Sequence, residues 1–126
     1  MVDHDADLVA RASTYIVSGG ASLLGAAIVR QIASSGNNVI IGDADEGAAA
    51  KIADEIGGSV AAYRCDVRSD QDLKGIVEFA RETYGGLNGI VNNAVSYLDH
   101  GITSSRADWH EAFDVCVFGG ARLLAE

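Results

Sequence analysis

The chain has 126 residues, 48% of them hydrophobic and 21% charged, with no low-complexity tract, which predicts one compact domain over 1–126 and excludes a larger multidomain assembly. Its formal net charge of −9, with Asp3, His4, Asp5 and Asp7 clustered at the start, repels phosphate backbones, so no nucleic-acid partner is expected. Apolar runs such as Val39 to Ile41 are far shorter than the roughly 20 residues of a membrane span and no basic stretch precedes one, so the expectation is a soluble, cytoplasmic protein without a membrane partner.

The first predicted element is Thr14 to Ser18, a short β-branched and aromatic run that meets Gly19 and Gly20 in a turn. From Leu24 the residues Leu24, Ala27, Ile28 and Ile32 recur at helical spacing, and Gly36 ends that helix. A second strand, Asn38 to Gly42, leads to Asp43, and Glu46 to Ile56 then places Ala49, Ile52, Ala53 and Ile56 on one stripe before Gly57 and Gly58. The third strand, Ser59 to Cys65, runs into Asp66 and Val67. Ser69 caps the next helix, whose apolar face is Leu73, Ile76, Val77, Ala80 and Tyr84, with Asp72 completing a near capping box. Leu87 to Ala94 is a fourth strand. After a polar loop, Trp109, Ala112, Phe113, Cys116, Val117, Gly120 and Leu124 mark the apolar stripe of one long fourth helix.

Strands that alternate with helices of this length pair in parallel through right-handed crossovers, so the order βαβαβαβα predicts an α/β domain with helices on both faces of the sheet. Cys65 and Cys116 stand far apart and are expected to be reduced, buried thiols. His4, His100 and His110 lack ligand spacing, so no metal site is predicted.

In an open parallel sheet, ligands bind beyond the carboxyl ends of the strands. Those ends carry Ser18-Gly19-Gly20, Asp43, Asp66 and Asn92-Asn93. A glycine-rich turn opening a helix suits a pyrophosphate, because unpaired N–H groups and the positive end of the helix dipole face the anion. Asp43 follows Gly19 by 24 residues, close to the roughly 20-residue spacing of the carboxylate that accepts hydrogen bonds from an adenosine ribose. A carboxylate there repels a 2′-phosphate, so NAD is expected in preference to NADP.

These residues together resemble the short-chain dehydrogenases/reductases, and the resemblance implies a Rossmann-like doubly wound parallel sheet. The family's T-G-x-x-x-G-x-G is similar to Ser18, Gly19, Gly20, Ala21, Ser22, Leu23, Leu24, Gly25; its acidic NAD selector corresponds to Asp43, and its D-V pair beside the adenine to Asp66-Val67. Its N-N-A-G resembles Asn92, Asn93, Ala94, Val95, and the likeness runs from Thr14 onward. It implies that these residues bind a nicotinamide dinucleotide, that the sheet runs third, second, first, fourth, and that Ile90 and Val91 line an unpaired edge. That edge predicts marginal stability or self-association, with a homo-oligomer through the fourth helix.

The departures carry expectations of their own. Leu23 stands at the family's middle glycine, where a side chain is expected to crowd the pyrophosphate, and Val95 brings a branched side chain near the ribose. Cys116 stands where the family has its catalytic asparagine, and is read as a core cysteine, so no catalytic residue is assigned. The family's Y-x-x-x-K is absent: Tyr15, Tyr63, Tyr84 and Tyr97 are followed four positions on by Gly19, Val67, Asn88 and Gly101. Ser96, Ser104, Ser105 and His100 read as loop residues, and the loop from Val95 to Ala107, with Tyr97, Asp99 and His100, as the mouth of the cleft. The chain is therefore expected to be the partial, NAD-binding portion of such an oxidoreductase, truncated after about four βα units and inactive alone. The alternative is a degenerate, non-catalytic module that binds a nucleotide or a partner. A phosphoacceptor receiver is excluded, because Ser18-Gly19-Gly20 replaces the acidic pair that would hold magnesium.

Overall fold

Thr14–Ser18 forms the first strand, β1, and its backbone runs between two parallel neighbours. The computed structural model describes residues 11–97 and 100–126, so the acidic cluster from Asp3 to Asp7 and the loop position Asp99 lie outside the described residues. After β1 come α1 (Leu23–Ser34), β2 (Asn38–Asp43), α2 (Glu46–Ile56), β3 (Val60–Arg64), α3 (Asp70–Tyr84) and β4 (Gly89–Val91). A 3₁₀ turn (Gly101–Thr103), α4 (Arg106–Phe113), a π-helical turn (Asp114–Phe118) and α5 (Gly119–Ala125) complete the described chain. The sheet is parallel throughout in the expected order β3-β2-β1-β4, which leaves β4 at an edge among the described residues.

Alternation along the two central strands builds two cores. Ile16 and Ile40 face Leu73, Ile76, Val77 and Ala80 of α3 and Leu123 of α5; Val17, Val39 and Ile41 face Val29 of α1 and Ala49 and Ala53 of α2. Each fully buried Ile or Val contributes about 1.5–3 kcal/mol, so β1 and β2 anchor the sheet while β4, half-buried along its length, contributes least.

Four expectations need correction. The fourth strand is Gly89–Val91 and not Leu87 to Ala94, because the N–H groups of Asn93 and Ala94 leave the ladder and donate to Ser18 Oγ. On α1 the buried residues are Gly25 and Val29, with Ile28 and Ile32 half-buried, whereas Leu24 and Ala27 are exposed. The close approach of Gly25 to the preceding turn fixes this rotation. The fourth helix is three consecutive segments, and the stripe predicted for it is split: Ala112 and Gly120 are buried, but Trp109, Phe113, Val117 and Leu124 are exposed. The side that docks is instead Ala112, Gly119, Gly120 and Leu123, because only glycines allow the backbone to come this near. Both cysteines are free, but only Cys65 is buried; Cys116 is half-buried, its Sγ engaged by a loop.

Candidate functional site

Four strand ends and the start of α1 converge on one cleft. At the turn after β1, Gly19 adopts φ +65°, and a Cβ there would lie 2.9 Å from Ala94 Cα. A Cβ on Gly25 would overlap the Gly19 carbonyl, so glycine at both ends lets the helix start press against the turn. Ser22 caps α1: its Oγ accepts from Gly25 N–H at 3.1 Å and donates to the Gly19 carbonyl at 2.7 Å. The N–H groups of Leu23 and Leu24 have no partner among the described residues, as the first turn of a helix requires. The Leu23 side chain, 94% exposed, sits at the same place.

Asp43, at the end of β2, is held by the backbone. Its Oδ2 accepts from Ala21 N–H at 3.1 Å and its Oδ1 from Asp45 N–H at 2.9 Å, which fixes the carboxylate beside the glycine turn. Ser18, 2% exposed, accepts from the N–H groups of both Asn93 and Ala94 at 3.1 Å and thereby bends the chain after β4 across the end of β1. Asn93 closes the junction, donating from Nδ2 to the Gly19 carbonyl at 3.0 Å and to Ser22 Oγ at 3.3 Å.

The far end of the cleft is built after β3. Asp66 Oδ1 accepts from the Arg68 N–H and Nε, both at 3.0 Å, and Oδ2 accepts from Nη2 at 2.8 Å. The hydrogen bond from the Arg68 guanidinium holds the Asp66 carboxyl below its ordinary value, and Asp66 in turn raises Arg68. Arg68 Nη1 lies 3.7 Å from Glu111 Oε1 on α4. Behind them, burial and then the charges of Asp72 and Asp66 push the Cys65 thiol up to about 12, so it stays protonated. Asp72 does not complete the capping box with Ser69; its Oδ2 accepts instead from Asp66 N–H at 2.9 Å.

The helical segments after the loop dock by small residues. A Cβ on Gly119 would meet the Val67 carbonyl at 2.7 Å, and one on Gly120 would overlap the Asn92 side chain. Asn92 Nδ2 donates to the Cys116 carbonyl at 3.5 Å, and Cys116 Sγ accepts from Ser96 N–H at 3.4 Å, so the π-helical turn is tied to the chain leaving β4.

The resulting cleft has a volume of about 630 Å³, within the ordinary range for a small-molecule site. Of the residues singled out in the sequence, Gly19, Ser22, Leu23, Leu24, Asp43, Asp66, Val67, Asn93 and Ala94 line it, together with Val95 and Tyr97. Ser18, Ala21, Gly25 and Asn92 stand behind that lining and shape it through the contacts above. Ser96, in the loop expected at the mouth of the cleft, lines it too, and Ala44, Cys65, Arg68, Glu111 and Val115 do so without having been singled out for it. Arg68 had a local signal, its place directly after Asp66-Val67; Glu111 and Val115 had none, since only the docking of α4 brings them there. Among the described residues no three His, Cys, Asp or Glu side chains converge as a metal site, and no helix is long and apolar enough to cross a membrane.

Residues 19–126 match the model of the family described as enoyl-(acyl carrier protein) reductase. The chain is 38% identical over 81 residues to 2,5-dichloro-2,5-cyclohexadiene-1,4-diol dehydrogenase of Sphingobium indicum, covering 64% of this chain and 32% of that protein. It is 32% identical over 106 residues to 7alpha-hydroxysteroid dehydrogenase of Escherichia coli, covering 82% and 42%. Among solved structures it superposes with a TM-score of 0.83 on a short chain dehydrogenase/reductase from Burkholderia phymatum in complex with NAD, at 28% identity, covering 91% of this chain and 42% of that one. A 3-ketoacyl-(acyl-carrier-protein) reductase from Brucella melitensis complexed with NADH shares the fold, with a TM-score of 0.85 at 22% identity over 91% of this chain and 48% of that one. The chain thus spans between a third and a half of the length of these proteins.

Proposed function

The chain belongs to the short-chain dehydrogenase/reductase family, and on that premise we propose that it is the NAD-binding portion of an oxidoreductase. When bound, the nicotinamide supplies hydride exchange with an alcohol or carbonyl substrate. The observation that carries the reading is the start of α1, where the open N–H groups of Leu23 and Leu24 lie beside the backbone-held carboxylate of Asp43 in one cleft. Those N–H groups and the helix dipole suit the diphosphate. Asp43 has lone pairs left for two ribose hydroxyls, and its charge opposes a 2′-phosphate, which favours NAD over NADP. The solved relative with NAD bound, at 28% identity, supports the same assignment.

Within these 126 residues no tyrosine has a lysine four positions on, and Cys116 occupies the asparagine position with its thiol turned to Ser96. The Tyr–Lys pair that hands a proton to a carbonyl oxygen in the family is therefore missing from these residues, and the chain by itself is proposed to bind without turnover. Calorimetric titration with NADH and NADPH, beside an assay on simple secondary alcohols, tests this. Micromolar NADH binding, weaker NADPH binding and no turnover are expected; no heat with either nucleotide overturns the reading.

The exposed row Trp109, Phe113, Val117 and Leu124 supports self-association as a second element of the proposal. A second copy is the proposed occupant, because the row continues the helical segments beside β4, the strand left at the sheet edge among the described residues, so two copies can cover each other's apolar row. Light scattering after size exclusion should give a dimer that Phe113→Asp dissociates; a monomer at all concentrations removes this element.

A further inference from the structure

Every large apolar side chain exposed between residues 11 and 97 lines the same cleft: Leu23, Leu24, Val95 and Tyr97. Single exposed apolar groups are ordinary on a surface, but four gathered in one concavity leave area that a ligand removes from water. Two ties gather them. Asn93 Nδ2 donates to the Gly19 carbonyl at 3.0 Å and to Ser22 Oγ at 3.3 Å, joining the chain after β4 to the turn directly before Leu23. Beyond it the N–H of half-buried Ser96 donates to Cys116 Sγ at 3.4 Å, and the residues on either side of it, Val95 and Tyr97, are the exposed ones. The diphosphate and riboses of a dinucleotide are polar and gain little from such a wall, so it serves a different ligand of the same cleft. A rigid fused ring covers several of these side chains at once without giving up internal rotations. Resting on the nucleotide reading above, we propose that these four residues form the apolar wall for the second reactant, and that its class is an apolar ring compound carrying a hydroxyl or keto group, not a polyol. Leu23 then has two opposed effects: its side chain crowds the diphosphate and extends the wall.

Calorimetry with 2-decalone and with sorbitol tests this, each titrated into the free protein and into protein saturated with NAD, which cannot reduce a ketone. Wild type should bind decalone at least about tenfold more tightly than sorbitol. Tyr97→Ser, which removes an exposed ring and uncovers no core, should weaken decalone by about fivefold with its melting curve unchanged. Leu23→Gly should weaken decalone as well, whereas relief of crowding moves the dinucleotide in the opposite direction, a split that a merely structural role does not produce. A wild type that binds sorbitol as well as decalone, or binds neither, overturns the proposal. So do decalone affinities unchanged in both variants, because the ring then sits elsewhere, and so do equal losses of decalone and NAD affinity in Tyr97→Ser. Absence of heat with NAD alone overturns the nucleotide reading instead, and the decalone titrations of the free protein still decide the apolar wall.

Discussion

Replacing Leu23 by glycine asks whether this side chain stands in the way of the diphosphate. Leu23 is 94% exposed at the first position of α1, so its removal uncovers no core. The cost to folding is limited to the backbone entropy of an added glycine, about 0.5–1 kcal/mol, which for a domain of this size lowers the melting temperature by a few degrees. The gain falls on the ligand. Hydrogen bonds from N–H groups to a charged acceptor are worth about 1.5–3 kcal/mol each. Two such donors, on Leu23 and Leu24, lie open at the helix start that carries this side chain. If crowding denies the diphosphate one of them, Leu23→Gly should tighten NADH binding by about tenfold, equivalent to about 1.4 kcal/mol, with Leu23→Ala between glycine and wild type. Calorimetric titration of the three proteins, each checked by its melting curve, reads this directly. A folded Leu23→Gly protein that binds NADH no better than wild type refutes the crowding argument.

Ser18→Ala leaves two half-buried N–H groups, those of Asn93 and Ala94, without an acceptor, and should lower the urea-derived stability by about 1–3 kcal/mol; Ser18→Thr, which keeps the hydroxyl, should stay within about 1 kcal/mol of wild type. Asp43→Ser removes the charge that opposes a 2′-phosphate, so the ratio of NADPH to NADH affinity should rise by about tenfold; an unchanged ratio would show that Asp43 does not face that position. Asp66 is depressed below its ordinary 3.8 chiefly by the hydrogen bond from Arg68, so its contribution to stability is present above that ordinary value and is lost as pH falls through the folded one. The melting-temperature advantage of wild type over Asp66→Asn should accordingly hold at neutral pH and vanish in acid; an advantage independent of pH would mean that charge plays no part. Cys65 is buried, its thiol pushed up to about 12, so Cys116→Ser protein at pH 8 should give no rapid thiol reaction with an aromatic disulfide reagent when native and one full equivalent in guanidinium.

The first three strands were legible because each is a short β-branched or apolar run that meets glycine or a carboxylate, and the bounds of β1 match the expected Thr14 to Ser18, whereas β4 runs into Asn92 without such a stop and is shorter than expected. The convergence of Ser18, Asp43, Asp66 and Asn93 followed from the parallel order alone, since such a sheet carries every strand end to the same edge. What the sequence concealed was the rotation of helices. Reading α1 and the fourth helix by their largest apolar residues put Leu24 and Trp109 inside, yet both are outside. At these two places backbone proximity outweighs hydrophobic volume. Gly25 against the Gly19 carbonyl, and Gly119 and Gly120 against Val67 and Asn92, admit no Cβ, so the smallest residues choose which face docks and the large ones take what is left.

The paired asparagines show how near the missing step lay. Consecutive residues leaving a strand point to opposite sides, so Asn92 and Asn93 could not both face one ligand. Asn93 turns to the glycine turn and lines the cleft, while Asn92 turns to the fourth helix, donating to the Cys116 carbonyl and packing on Gly120. One asparagine thus sets the glycine turn and the other sets the helix that carries Glu111 to Arg68. The two ends of the cleft are positioned from a single point after β4, which Ser18 fixes by accepting both N–H groups. A substitution at Ser18 should therefore disturb the glycine-turn and Arg68 ends of the cleft together, whereas one at Leu23 or Arg68 should disturb one end and spare the other.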